Sequence, residues 1–231
     1  MGHSREVPEG RSPHLMLNFR ARSSVSKALA PIGGGLHRMG VSPNAITVVG
    51  TVGTVASAAL LIGTGRFLIA VLAITFFVLF DLLDGAVARA GGTASNFGAV
   101  LDSTLDRVAD ASIFAALIWW FAGSGHSSTR LDLILAALLA LILGQLIPYV
   151  RARAEALDID ASAGIAERAE RLILVLVGVG LAGLGLSVAL PIALWLVVAL
   201  GMVTVGQRLN AVRRAARLSP PTEAAQESPG G

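Results

Sequence analysis

The chain has 231 residues, of which 54% are hydrophobic and 14% charged, against about 25% charged in soluble domains. Cysteine is absent, which excludes a disulfide framework, a thiolate zinc site and a thiol nucleophile. A net charge of +3 comes from basic residues scattered between apolar stretches rather than gathered in one stripe, which points to a membrane surface and not to nucleic acid.

In chain order, residues 1–14, "MGHSREVPEGRSPH", are polar and expected to be disordered, and no cleavable signal peptide is visible. Residues 15–40, "LMLNFRARSSVSKALAPIGGGLHRMG", mix apolar and basic positions. They read as an amphipathic juxtamembrane helix, broken near Pro31 and the glycine run. Six apolar spans follow, at roughly 44–63, 68–90, 98–122, 132–154, 169–187 and 190–212. Each is close to the ~20 residues that a membrane-crossing helix needs. The fold class is therefore all-α integral membrane, six transmembrane helices in one domain over 15–217, with a disordered tail over 218–231.

Fifteen of the eighteen Lys and Arg residues fall in the N-terminal segment, the second-to-third and fourth-to-fifth connections and the C-terminal end. Positive-inside logic puts both termini and these connections in the cytoplasm of a cell-membrane protein.

The stretch "DLLDGAVARAGGTASNFGAVLDSTLD" sets four acids between two membrane-grade segments. Asp81 and Asp84 are three apart at the end of span two, and Asp102 and Asp106 four apart at the start of span three. Both spacings put a pair on one helix face. A turn near Gly91 and Gly92 brings the two helix ends together. Four carboxylates that close repel one another unless cations sit among them, and so many hard oxygen ligands suit Mg²⁺, Mn²⁺ or Ca²⁺. Snorkelling, or pairing with Arg89 and Arg107, would account for one or two of the acids. "SPNAIT" begins span one at Pro43 and Asn44, and free N–H groups at such a helix start favour phosphate.

The pattern Asp81-x2-Asp84-Gly85-x2-Ala88-Arg89-x8-Gly98-x3-Asp102-x3-Asp106 resembles, without a gap, the signature of the CDP-alcohol phosphotransferases, membrane enzymes of phospholipid biosynthesis. The resemblance implies displacement at the β-phosphate of a CDP-linked donor, an alcohol attacking and CMP leaving. It implies two metal ions, Mg²⁺ with Mn²⁺ possible: one held by Asp81, Asp84 and Asp102, the other by Asp81, Asp102 and Asp106. Asp106 is also implied as the base that takes the hydroxyl proton. Asn44, Ala45, Ile46, Thr47, Gly85, Arg89 and Ser95 match the contacts to CDP-diacylglycerol. The family also implies a homodimer.

The acceptor is read from a second basic cluster. "ARAE" and "ERAER", with "FFVLFDLLDGAVAR" and "LIWW", are similar to the actinobacterial phosphatidylinositol phosphate synthases. That branch joins CDP-diacylglycerol to inositol 1-phosphate, and Arg151, Arg171 and Arg208 match its phosphate-holding positions. Arg151 stands where the branch commonly has Lys, and Pro148 where it has Ser. Glycerol 3-phosphate also carries a phosphate and stays open as an acceptor. A cation transporter using the acids as its ion site is the alternative of another class.

Overall fold

A computed structural model of the chain describes residues 30–123, 128–161, 164, 165 and 167–218, and among them every regular element is a helix. They are α1 (30–38), α2 (Pro43–Ser57), α3 (Phe67–Asp81), α4 (Leu83–Gly91), α5 (Asn96–Gly123), α6 (Ser128–Glu155), α7 (Arg168–Gly183) and α8 (Ala189–Leu218). A π-helical turn, Ala58–Ile62, prolongs α2. The segments expected to be disordered, 1–14 and 219–231, lie outside the described residues, as does 15–29.

Local chemistry sets the helix starts. Ser42 caps α2, its side chain accepting the Ala45 N–H at 3.2 Å, with Pro43 in the first turn. Ser95 does the same for α5, its Oγ accepting the Gly98 N–H at 3.0 Å. Span two, expected as one helix, is two helices broken at Leu82. Asp84 takes the Gly85 N–H on its own side chain, which competes with the helix ladder at the break. The first segment also differs from expectation. Among the described residues a helix covers 30–38, with Pro31 in its first turn; it runs through the glycine run without a break and stops before Gly40, whose φ is +76°. Gly33 lies against Ala86 of α4, where a Cβ would sit 2.7 Å from the Ala86 carbonyl carbon. This close contact offsets a glycine's helix cost of about 1 kcal/mol.

Six long helices pack in a closed ring. α2 lies beside α3, α3 beside α7, α7 beside α8, α8 beside α6, α6 beside α5, and α5 returns to α2. Small residues such as Ala70, Ala136, Ala137 and Ala140 are almost fully buried where helices approach. The outer face is apolar: Leu72, Trp119, Ile173 and Ile192 are each more than 60% exposed. Large apolar side chains pointing outward on neighbouring helices mark a lipid-facing surface.

Four helical stretches are long and apolar enough to cross a membrane: Pro43–Ile62, Phe67–Gly91, Arg130–Glu155 and Ala189–Arg217. α5 carries Asp102, Asp106, Arg107 and Asp110 among its first fifteen residues, and α7 has 16 residues. Charge in one and length in the other set these two apart from the four.

Gly178 is where α7 meets α8. A Cβ there would collide with Ala193 Cβ and lie 3.3 Å from the Ala189 carbonyl oxygen. Gly178→Val is expected to destabilise the protein in detergent by about 1–3 kcal/mol through overpacking. Gly206→Ala, with no neighbour within 4 Å, is expected to gain up to ~1 kcal/mol from helix propensity. Thermal or SDS unfolding of the two variants checks both signs.

Candidate active site

One end of the ring gathers the polar residues. The C-terminus of α3 supplies Asp81, the first turn of α4 Asp84, and the first half of α5 Asp102 and Asp106. Asp81, Asp102 and Asp106 each place an oxygen within 4.8 Å of the others. Asp81 Oδ1 is buried and has no hydrogen-bond partner. Three converging carboxylates with an unpartnered buried oxygen form a hard, anionic donor set, and these residues fit a divalent cation such as Mg²⁺ or Mn²⁺. Asp84 stands beside this group and is held from α2: Thr47 Oγ1 donates to its Oδ2 at 2.8 Å.

A cavity of about 190 Å³ opens next to Asp84 and Asp102, lined by Asn44, Thr47, Gly85, Ser95 and Gly98 among others. It joins the starts of α2, α4 and α5. Of the residues matched to the donor, Asn44, Thr47, Gly85 and Ser95 line it. Arg89 is exposed, but its guanidinium folds back over Gly85, where a Cβ would lie 3.1 Å from Nη1. Ala45 faces outward and Ile46 is buried, so neither side chain lines the cavity. The Ala45 N–H is already taken by Ser42, which leaves the helix start fewer free donors than its sequence offers. Thr47 and Ser95 hold an acid and a helix cap as well as lining the cavity.

The basic residues come from α6, α7 and α8. Arg171 and Arg208 are 5% and 3% exposed. Arg208 Nη1 donates to the Ile147 carbonyl at 2.6 Å, next to Pro148 inside α6. Arg171 lies within electrostatic reach of Arg107, Arg168 and Arg208, and Arg208 within reach of Arg151. Arg151 is exposed and pairs with Glu155 one turn on, at 2.8 Å. The fold thus brings all three predicted arginines to one region, two buried and one at its edge.

Two residues of the acid network escaped the sequence reading. Asp110 is buried and continues the Asp102–Asp106 stripe by one more turn. Arg168, read only as a cytoplasmic charge, reaches from α7 to Asp106 Oδ1 at 2.9 Å and to both oxygens of Asp110 at 3.0 and 3.2 Å. The four-residue spacing from Asp106 to Asp110 was a signal that the sequence reading did not use. Nothing local flags a partner 58 residues away. The surrounding carboxylates keep Arg168 charged against the desolvation that its burial imposes.

The chain belongs to the CDP-alcohol phosphatidyltransferase family, whose model matches residues 40–205, and is accordingly a transferase of membranes. Its relatives include the phosphatidylinositol phosphate synthase of Mycobacterium marinum, 42% identical over 84% of this chain and 83% of that one. The synthase of the same name in Streptomyces avermitilis is 41% identical over 86% and 83%. Among solved structures, the Mycobacterium tuberculosis phosphatidylinositol phosphate synthase with CDP-DAG bound superposes at a TM-score of 0.76. It is 40% identical and covers 80% of this chain and 94% of that one. A structure of the same synthase in complex with manganese and citrate also superposes at 0.76.

Asp81→Asn removes a charge from a crowded, uncompensated group. The metal-free variant is expected to melt at or above the wild-type temperature, because carboxylate repulsion is relieved. The stabilisation that Mg²⁺ or Mn²⁺ gives the wild type by mass action is expected to vanish. Thermal unfolding in detergent with and without Mn²⁺ measures both; an undiminished Mn²⁺ increment would refute the assignment of Asp81 as a ligand.

Proposed function

We propose that this protein transfers the phosphatidyl group of CDP-diacylglycerol to the hydroxyl of inositol 1-phosphate, giving phosphatidylinositol phosphate and CMP. The observation that carries this is the Asp81–Asp102–Asp106 cluster, of which Asp102 lines the polar cavity while Asp106 pairs with Arg168, itself within electrostatic reach of the buried Arg171. A diphosphate donor fits one side and a phosphorylated acceptor the other. The similarity to the actinobacterial synthases supports the same pairing.

The acceptor hydroxyl attacks the β-phosphorus of the donor, the bond from that phosphorus to the oxygen of CMP breaks, and the hydroxyl proton passes to Asp106. Asp81, Asp84, Asp102 and Asp106 would hold two divalent ions, Mg²⁺ or Mn²⁺, which when bound neutralise the diphosphate and stabilise the charge on the leaving oxygen. Asn44, Thr47, Gly85 and Ser95 bound the donor's nucleotide, with Ala45 and Ile46 contributing backbone only, and Arg89 covers its phosphates. Arg171 and Arg208 grip the acceptor phosphate, assisted by Arg151 at the rim. An apolar groove of about 760 Å³ between α3 and α7 runs from Leu68 and Leu184 to Leu82 and Arg168. Its walls suit the donor's acyl chains, and its polar end meets the acids.

The same reading places all six long helices across the cell membrane, with the acid-bearing end and both termini cytoplasmic, where the basic residues concentrate. The membrane domain spans 15–217, its N-terminal helix lying along the interface, and the protein works as a homodimer.

Purified protein with Mg²⁺ and CDP-diacylglycerol is expected to release CMP with inositol 1-phosphate faster than with inositol, serine or glycerol 3-phosphate. A preference for glycerol 3-phosphate would replace the acceptor while keeping the reaction class. Arg171→Ala is expected to raise the acceptor KM about ten- to a hundredfold, since a charged hydrogen bond contributes about 1.5–3 kcal/mol and ~1.4 kcal/mol is tenfold. The donor KM should barely move, and Arg213→Ala, an exposed residue, should change neither. Equal effects on both substrates would remove Arg171 from the acceptor pocket.

A further inference from the structure

Asp106 has two duties in the reaction proposed above, metal ligand and proton acceptor, and both depend on which way its carboxylate faces. Of the four acids in the cluster, it alone is in an ion pair among the described residues, with Arg168 Nη1 at 2.9 Å from Oδ1. The guanidinium is not free to choose that position. Its Nε lies 3.0 and 3.2 Å from the two oxygens of Asp110, a carboxylate only 8% exposed and one helical turn below Asp106. Asp110 touches neither the polar cavity nor the three-acid group, so ligation does not explain it. What it does is hold a planar fork. With Nε fixed on Asp110, Nη1 is aimed at Asp106 from α7.

We propose that Asp110 and Arg168 form a positioning pair that fixes the plane of the Asp106 carboxylate for proton transfer, a role that rests on the transferase function proposed above. Asp110 is the buried anchor, Arg168 the rigid spacer, and Asp106 the group oriented. A spacer of this kind has to be arginine. Lysine keeps the charge but has no fork, so its single ammonium cannot hold both carboxylates in one geometry. The pair also fastens α7 to α5 at the point where the apolar groove, which Arg168 lines at its polar end, reaches the acids. The donor's lipid and phosphate portions would thereby be held in register with the base.

The test uses the full-length protein in detergent with Mg²⁺, CDP-diacylglycerol and inositol 1-phosphate, following CMP release and counting only the monodisperse fraction. Asp110→Asn and Arg168→Lys are each expected to lower kcat by a factor between about ten and the ~100 that a misplacement on the order of 1 Å costs. Donor and acceptor KM should stay within about threefold, and Mn²⁺ binding followed by electron paramagnetic resonance should persist. The double variant should be no slower than the slower single one, because residues acting through one contact are not additive. If Asp110→Asn does not fold, Arg168→Lys decides alone. A wild-type kcat in folded variants, multiplying effects in the double variant, a loss confined to acceptor KM, or loss of Mn²⁺ binding would each overturn the positioning role. Failure of the wild type itself to release CMP with any acceptor would instead overturn the transferase assignment, and this role with it.

Discussion

Carboxylates crowded together at the end of a helix bundle repel one another, and partial burial removes the water that would soften the repulsion. Much of the local structure at this end can be understood as an answer to that constraint. Asp84 is satisfied by the Thr47 hydroxyl and a backbone N–H. Asp106 and Asp110 share one guanidinium. Asp81 keeps a buried oxygen without a partner, and the divalent charge proposed for the cluster would meet it. The interruption of the second span at Leu82 follows from the same demand, since an unbroken helix would not divert a backbone donor to Asp84.

The ring order shares the chemistry among groups of helices, not all of them neighbours in sequence. α2, α4 and α5 meet at the small polar cavity. α3 and α7, joined in space though 86 residues lie between the end of one and the start of the other, make the long apolar groove. α6, α7 and α8 bring the buried arginines together. Each region contacts a chemically different part of the proposed substrates, and the acid cluster is where the three regions converge.

The helical character of the chain, the spacing of the acids and the start of α2 at Pro43 were legible because each depends on contacts within about one helical turn. Asp81 with Asp84, Asp102 with Asp106, and the helix start at Pro43 and Asn44 are local statements. What the sequence did not show depends on tertiary packing. The link from Arg168 to Asp110 spans 58 residues. The unbroken run of α1 through the glycine run goes with Ala86 lying against Gly33. Ser95 and Thr47 were expected as ligand contacts on the family resemblance alone. In the fold the same hydroxyls also cap α5 and hold Asp84.

The groove between α3 and α7 is walled almost wholly by leucine, valine, isoleucine and alanine, with polar residues only at Thr75 and at the Glu167–Arg168 end. Such walls give a hydrocarbon chain little reason to prefer one diacyl lipid over another, because apolar contact is non-directional. In the proposed reaction, where this groove seats the donor's acyl chains, every lipid of the surrounding leaflet competes for that seat, and the product has the same tails as the donor. Selection for a nucleotide-bearing lipid falls to the polar end alone, and turnover becomes an exchange of head groups over a seat that is never empty.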